Sequence, residues 1–288
     1  MVGIGEYVLL MFLVSILAGT VGAMVGVGGG ILVVPALTIG FGVPIEYAIG
    51  ASIISTIATS SGAASAYVRD RVTNLRIGMF LEVGSVIGSI VGVTATLLFV
   101  RSGLSWAIFL IFGGVLFFSS YNVVQNARTE RSRASSVNVE PDRAARALRL
   151  QGEYHDKSLG RTTRYSATRV PAGLAVVFFA GLLSGLLGVG GGVLKVLGMD
   201  TAMRLPFKVS TTTSNFMIGV TATASTGILY ISGYVNVLLS APVAVGVVAG
   251  SMAGARVLAR SRPAFLRTVF VAVLLVLGAE MVYMGLAR

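Results

Sequence analysis

Long apolar runs separated by short polar connectors make up most of the 288-residue chain. A run of roughly 20 apolar residues is long enough to cross the hydrocarbon core of a bilayer as a helix. Two further apolar stretches, 5–42 and 171–203, are interrupted by glycine clusters. The pattern therefore predicts an all-α polytopic membrane protein. The predicted spans are 45–68, 77–100, 104–124, 207–231, 236–258 and 264–286.

The composition supports a membrane protein and narrows the chemistry open to it. Charged residues make up 11% of the chain, well below the roughly 25% typical of soluble domains. Hydrophobic residues make up 55%, more than a water-soluble globule of this size hides from water. Because the chain has no cysteine, disulfides, thiol catalysis and cysteine metal sites are excluded. We expect no cofactor and no metal.

An internal duplication with an offset of 162 residues relates the two halves of the chain. The GVGGG sequence at 26–30 recurs at 188–192, and the register continues without a gap. Identical residues occupy 18 of the 74 aligned positions from 19 to 92. They include glycines four residues apart, a spacing typical of helix packing. Self-similarity of this kind indicates two structural repeats.

The net charge of +11 is concentrated in the polar segment 126–169, which holds ten of the 22 Lys and Arg residues and five acidic residues. The other basic residues flank apolar runs, where they typically report a cytoplasmic orientation and contact anionic lipid headgroups. We therefore expect the lipid bilayer as a partner and no nucleic acid. The chain divides into membrane repeat 1 (1–125), a cytoplasmic basic linker (126–169) and membrane repeat 2 (170–288).

The placement of basic residues predicts opposite orientations for the two repeats. With the linker inside the cell, 19 of the 22 basic residues fall on the inner side, two fall outside and one lies within the membrane. This assignment requires three transmembrane helices per repeat and a glycine-broken hairpin that enters and leaves on one side. Because each repeat crosses the membrane an odd number of times, the second repeat has the opposite orientation to the first, so the repeats are inverted. Both termini are then expected outside the cytoplasmic membrane.

The glycine clusters predict a break in the helical structure at the same place in each repeat. Glycine permits positive φ and close approach of another backbone or a ligand. Because unpaired backbone in a bilayer is costly unless it is buried in protein or lines a cavity, we expect two re-entrant or discontinuous hairpins near the middle of the membrane. Amides near Ile31 and Val193 would then face a bound anion. Close packing alone is the alternative. The candidate binding glycines are Gly28, Gly29, Gly30, Gly190, Gly191 and Gly192.

One basic residue, Lys195, lies inside an apolar segment, three positions after the second glycine triplet. Repeat 1 has Val33 at the aligned position. An ionisable residue within a membrane segment indicates a functional site, and an ammonium beside backbone amides suits a small oxyanion. Lys195 is therefore the candidate for neutralising a bound anion. Alternatively, its side chain extends to the cytoplasmic face or pairs with Asp200.

Polar residues follow the hairpin in each repeat. Ser52, Ser214 and Asn215, near the aligned prolines, are candidates for donating hydrogen bonds to an anion. The alternative for such hydroxyls is a bond to the carbonyl one turn earlier in their own helix. Glu82 and Asp200 are candidates for carrying a coupling proton, and for Glu82 an interface charge is the alternative.

Three stretches around the glycine clusters carry a resemblance to a known family. They are AGTVGAMVGVGGGILVVPAL in repeat 1, and GLLSGLLGVGGGVLKVLGM and LPFKVSTTTSNFMIGVTATAS in repeat 2. With these motifs the chain resembles the TauE/SafE sulfite exporter family of membrane permeases. One departure is Leu197, where the family often has proline, as Pro35 stands in repeat 1. The resemblance implies transport of small sulfur-containing anions, and it implicates the hairpin glycines, Lys195, Ser214 and Asn215.

Together these features predict a secondary transporter that moves a small sulfur-containing anion, such as sulfite or a sulfonate, by alternating access of two inverted repeats. We expect no enzymatic activity, because the single histidine, His155, lies in the linker and no serine–histidine pair lies in the spans. The alternatives are an anion channel, whose flux does not saturate, and a non-transporting membrane scaffold or subunit. A homo-oligomer is compatible with the sequence.

Overall fold

The computed structural model describes residues 4–25, 28–69, 72–133, 142–156, 161–260 and 263–287. Gly26 and Val27 of the first glycine cluster lie outside these residues. Two π-helical turns, Ala36–Gly40 and Gly198–Ala202, continue helices α2 and α8. In chain order the elements of the described residues are α1 (Ile4–Val25), α2 (Gly30–Pro35), α3 (Ile45–Arg69), α4 (Leu75–Arg101), α5 (Ser105–Arg133), α6 (Arg143–Ala147), β1 (Gln151–Asp156), β2 (Arg161–Ser166), α7 (Val170–Leu187), α8 (Gly192–Leu197), α9 (Phe207–Ile231), α10 (Val237–Arg260) and α11 (Pro263–Leu286).

The helix bounds recur with the same offset of 162 residues as the sequence. Helices α2 and α8, their π-helical turns, and helices α3 and α9 begin and end at aligned positions. Helices α4 and α10 begin at aligned residues, each directly after an asparagine. The side-chain oxygens of Asn74 and Asn236 accept hydrogen bonds from backbone amides of the first turn, as N-cap residues do. The two halves thus fold into the same order of membrane-domain elements.

Glycine ladders bring helices from opposite halves into backbone contact. A Cβ atom at Gly88 of α4 would collide with the carbonyl oxygen of Phe178 in α7, and one at Gly250 of α10 would collide with that of Ile16 in α1. The glycine ladders therefore pack helices, as their spacing predicts. Gly88 aligns with Gly250, and Ile16 aligns with Phe178, so the halves exchange equivalent contacts.

Four helices of the described chain are long and apolar enough to cross a membrane, namely most of α1 and α10 and the whole of α4 and α7. Helices α4 and α10 match predicted spans. Helices α1 and α7 form the first parts of the two apolar stretches that glycine clusters interrupt. In each stretch the interruption comes after a complete apolar helix. The predicted spans at 45–68 and 207–231 are helices α3 and α9, whose many hydroxyls make them less apolar. Helices α5 and α11 carry the shorter apolar segments Ser105–Tyr121 and Leu274–Leu286.

The outer faces of the long helices are apolar. Leu17 of α1, Val83 of α4 and Leu238 of α10 are among many exposed large hydrophobic side chains. By contrast, most of the described hydroxyl residues of α3 and α9 are buried, with Ser52 and Thr221 fully inaccessible. A hydrocarbon environment favours this arrangement, in which apolar residues lie on the outside and polar residues on the inside.

The polar segment between the halves folds onto the membrane helices. One side-chain oxygen of Asp142 caps α6 by accepting a hydrogen bond from Ala145 N, and the other accepts one from Val170 N at the start of α7. Tyr165 of β2 accepts a hydrogen bond from the side chain of Asn74 at the start of α4. Leu150 is buried in an apolar cluster with residues of α4, α9 and the second π-helical turn. This segment therefore packs beside the second hairpin.

The end of helix α5 does not coincide with residue 125, the composition-based end of membrane repeat 1. Helix α5 continues to Arg133, because a helix can extend past its apolar part into polar surroundings. The described part of the polar segment contains one short helix, α6, and Pro141, just before it, lies outside the described residues. The antiparallel β1–β2 hairpin, in which Gln151 pairs with Ser166, was not predicted.

We expect Gly88→Ala in α4 to destabilise the folded protein, because the added methyl group meets the backbone of α7. Overpacking of a tight contact typically costs about 1–3 kcal/mol. Thermal unfolding of the purified protein in detergent measures the loss. The matched control is Gly114→Ala in α5, where a Cβ atom meets nothing within 4 Å. Equal melting temperatures for the two variants would contradict the packing role.

Candidate functional site

The turns of the two hairpins converge on one point between α3 and α9. Gly28 and Gly190 occupy aligned positions and have positive φ values of 81° and 74°, which glycine adopts without strain. A Cβ atom at either glycine would contact both Thr56 of α3 and Ile218 of α9, which are themselves aligned positions. The structure therefore brings both predicted glycine clusters together in the centre of the protein, where all six glycines are buried.

Hydroxyl groups of α3 and α9 satisfy the backbone of the hairpin turns. Thr59 accepts a hydrogen bond from Gly29 N at 3.0 Å. The Ser52 hydroxyl lies 3.1 Å from the carbonyl oxygen of Gly30 and 2.6 Å from that of Gly188, so one side chain links both hairpins. Ser214, aligned with Ser52, donates to the carbonyl oxygen of Gly192 at 3.2 Å. The predicted residues Ser52 and Ser214 thus lie at the turns, with their hydroxyls directed to backbone carbonyls.

Asn215 is fully buried beside Ser214 and connects α9 to the end of α1. Its Nδ2 atom donates to the carbonyl oxygens of Ala23, at 3.2 Å, and Thr211, at 3.3 Å. The Oδ1 atom has no hydrogen-bond partner. Asn215 therefore keeps one polar atom available in the buried centre of the protein.

Lys195 of α8 lies in a buried cluster with Glu82 of α4 and Thr221 of α9. The Lys195 ammonium donates a hydrogen bond to the Thr221 hydroxyl, which in turn donates to Glu82 Oε1. The second carboxylate oxygen of Glu82 lies 3.6 Å from Lys195 Nζ. Lys195 is 0% exposed and Glu82 is 5% exposed. Both alternatives for Lys195, extension to the cytoplasmic face and pairing with Asp200, are therefore wrong.

More hydroxyls surround this ion pair. Ser85 Oγ lies 2.9 Å from the Thr221 hydroxyl, and Ser89 donates to the carbonyl oxygen of Thr221 at 3.3 Å. Ser89 also contacts the hydroxyl of Ser225. One turn of α4 and one turn of α9 thus form a polar seam beside Lys195. Glu82 Oε2 has no hydrogen-bond partner and is held by charge attraction alone.

The two charged residues of the cluster come from different repeats, and neither charge recurs at its aligned position. Val33 aligns with Lys195 and Ala244 aligns with Glu82, whereas Thr59 aligns with Thr221. The hydroxyl is thus common to both repeats, whereas each charge occurs in one repeat alone, the carboxylate in repeat 1 and the ammonium in repeat 2. Asp200, the other predicted proton carrier, is half-buried on the π-helical turn after α8, and the structure does not bring it to Lys195.

Sequence reasoning singled out Lys195 and Glu82 separately and missed that they pair. Thr221, which joins them, was missed as a site residue, although its identity with Thr59 in the aligned repeat was a visible signal. Among the described residues, no group of three or more histidine, aspartate and glutamate side chains could hold a metal ion. The chemistry available here is therefore that of one ammonium, one carboxylate and several hydroxyls.

Comparisons with known proteins cover almost the whole chain. A sequence model of the family described as "Sulfite exporter TauE/SafE" matches residues 11–281. "Probable membrane transporter protein YunE" of Bacillus subtilis (strain 168) is 28% identical over 289 aligned positions, which cover 98% of this chain and 99% of that protein. "Probable membrane transporter protein YdhB" of the same organism is 27% identical over 250 positions, covering 86% and 88%. No solved structure matches significantly.

We expect Lys195→Met and Glu82→Gln each to destabilise the protein, because each leaves a buried charge without its partner. Removing one partner of a buried ion pair typically costs about 3–5 kcal/mol. The double variant carries no unpaired charge and should recover most of this loss. Thermal unfolding of all four proteins in detergent gives the coupling energy. Additive losses in the double variant would contradict a direct interaction.

Proposed function

The chain belongs to the TauE/SafE sulfite exporter family of membrane transporters, and we propose that it moves small sulfur-containing anions across the cytoplasmic membrane as a secondary transporter. The observation that carries this proposal is the fully buried ammonium of Lys195, placed beside the second hairpin turn in an apolar domain. A buried cation in a membrane segment is typical of a substrate or ion pathway.

The surroundings of Lys195 suit a small oxyanion. Its ammonium has three N–H donors, and the hydroxyls of Thr221, Ser85 and Ser89 lie within the same polar seam. The oxygens of a sulfite or sulfonate group accept several hydrogen bonds at once. We propose that these groups replace the hydration shell of the anion, with the hairpin glycines allowing its close approach.

The helix packing supports inverted repeats. Gly246 of α10 contacts Phe12 of α1, and Gly254, two turns later, contacts Thr20. Because the residue numbers of the contacting pairs increase in the same direction, the two helices run parallel. Three chain reversals separate α1 from α4, which makes them antiparallel within repeat 1. Helix α10 then runs opposite to α4, with which it aligns. We propose a pseudo-two-fold axis in the membrane plane, with the linker cytoplasmic and both termini outside.

Alternating access follows from how the halves interleave. The glycine contacts join α1, with its hairpin, to α10, and they join α7, with its hairpin, to α4. We propose that these two units rock against the central helices α3 and α9, exposing the hairpin turns to one side of the membrane at a time. Broken helices at corresponding positions of two inverted repeats are typical of a transporter binding site.

Flux into proteoliposomes tests the proposed function. The panel comprises sulfite, thiosulfate, sulfate, a small sulfonate, acetate and chloride, with and without a pH gradient. We expect saturable uptake and counterflow of a sulfur oxyanion or sulfonate, as a carrier gives. Uptake that does not saturate and shows no counterflow favours an anion channel. A folded protein that moves none of the sulfur anions would exclude this substrate class.

We expect Lys195→Met to abolish saturable sulfur-anion uptake, because the binding site then lacks its positive charge. The control variant is Arg101→Met, which removes an exposed cation at the end of the helix that carries Glu82 and should retain uptake. Reconstituted amounts are matched by quantifying folded protein before the flux measurement. Undiminished uptake by Lys195→Met would remove Lys195 from the binding site.

A further inference from the structure

We propose that Glu82 and the transported anion compete for the Lys195 ammonium, so that each anion crosses the membrane together with one proton carried on Glu82. This inference rests on the proposed function, since it names the coupling ion of the same site. The inference assigns a distinct role to each charged group. Lys195 binds the anion, and the Glu82 carboxylate pairs with the Lys195 ammonium when the anion is absent.

The geometry makes the two negative groups mutually exclusive. Glu82 Oε2 lies 3.6 Å from Lys195 Nζ and has no hydrogen-bond partner, so it is the atom that an incoming anion displaces. Glu82 Oε1 stays tied to the Thr221 hydroxyl. Both side chains are almost fully buried, so the cluster cannot hold two negative charges beside one positive charge without a large electrostatic cost. Anion binding therefore requires that Glu82 takes up a proton.

Charge neutrality explains why the coupling is tight. The empty cluster holds an ammonium and a carboxylate, and the loaded cluster holds an ammonium, a monovalent anion and a neutral carboxylic acid. Both combinations have no net charge and can change sides within a low-dielectric environment. An anion without the proton, or a proton without the anion, leaves a net charge buried, which opposes the conformational change. The proton and the anion thus move in the same direction and are released on the same side.

Other titratable groups near Glu82 do not supply an alternative. Helix α7, which packs along α4, has no ionisable residue, and α9 contributes Lys208 near its start and the exposed Tyr230 near its end, both far along the helix from Thr221. Helix α8 contributes Lys195 itself. On α4 the other charged residues are Arg76 and Arg101, both exposed. Among the described side chains of α5, the ionisable one is Tyr121, which is exposed.

The test uses a small sulfonate as probe, because sulfonic acids stay ionised across the working pH range and the pH response then comes from the protein. Wild-type protein in liposomes should accumulate the labelled sulfonate when the outside is more acidic than the inside, and a protonophore should abolish the accumulation. Glu82→Gln mimics the protonated acid and keeps the contact with Thr221. It should exchange labelled for unlabelled sulfonate, yet lose accumulation driven by the pH gradient.

A second measurement does not depend on membranes. Sulfonate binding to the purified wild-type protein, followed by calorimetry in buffers of different ionisation enthalpy, should take up one proton per anion. Glu82→Gln should bind with no proton uptake and with an affinity that no longer changes with pH. The matched control is Glu280→Gln, which replaces an exposed carboxylate of α11 and should behave as wild type.

The outcomes separate this inference from the proposed function. Wild-type flux that ignores the pH gradient, follows a sodium gradient, or loses its pH dependence in Asp200→Asn instead of Glu82→Gln would overturn proton coupling at Glu82. Each of these results leaves the sulfur-anion transporter in place. Absence of flux and of binding for every sulfur anion by folded wild-type protein would overturn both. Exchange without accumulation in Glu82→Gln supports both.

Discussion

Every polar backbone group inside a bilayer must find its partner within the protein, and this constraint shapes the centre of the molecule. Two hairpin turns leave amides and carbonyls there that no helix satisfies. Hydroxyls on α3 and α9 form hydrogen bonds with these backbone groups. Thr59 accepts one from Gly29, and Ser52 contacts carbonyl oxygens of both hairpins. Helices α3 and α9 are consequently polar on the inside, and they depend on their neighbours to separate them from lipid. This requirement accounts for the hydroxyls of Ser52, Thr59 and Ser214. Others, such as the hydroxyl of Thr226, donate to carbonyls of their own helix.

The duplication separates what the scaffold needs from what the site adds. Both repeats keep the glycine turn, the helix caps and the aligned threonine. The ion pair joins one charge from each repeat, and neither charge recurs at its aligned position, where Val33 and Ala244 stand. The same element order therefore forms without these charges. Because a buried ion pair is often no more stable than the apolar residues that could replace it, Lys195 and Glu82 are better explained by function than by folding.

Features encoded locally or by the repeat could be predicted from the sequence, and contacts between distant segments could not. The offset of 162 residues locates the short helices α2 and α8 and the caps at Asn74 and Asn236, since each depends on residues close by. The pairing of Lys195 with Glu82 depends on α4 packing against α7, a helix of the other half. The β1–β2 hairpin was missed because its polar strands have little apolar alternation, and Leu150 beside it becomes buried only against the membrane helices.

The position of Thr221 gives the ion pair a mechanical connection to the rest of the molecule. Lys195 belongs to the second hairpin and Glu82 to α4, which the glycine ladder joins to α7 of the same hairpin. Thr221 lies on the central helix α9 and bonds to both. The movement of the hairpin unit against α9 that we propose for alternating access would therefore break or shift the Thr221 bonds while the two charges stay together. Under the proposed function, the central helix would respond to whether the ammonium faces its own carboxylate or a bound anion, and a change of charge at the site would become a change of packing between units.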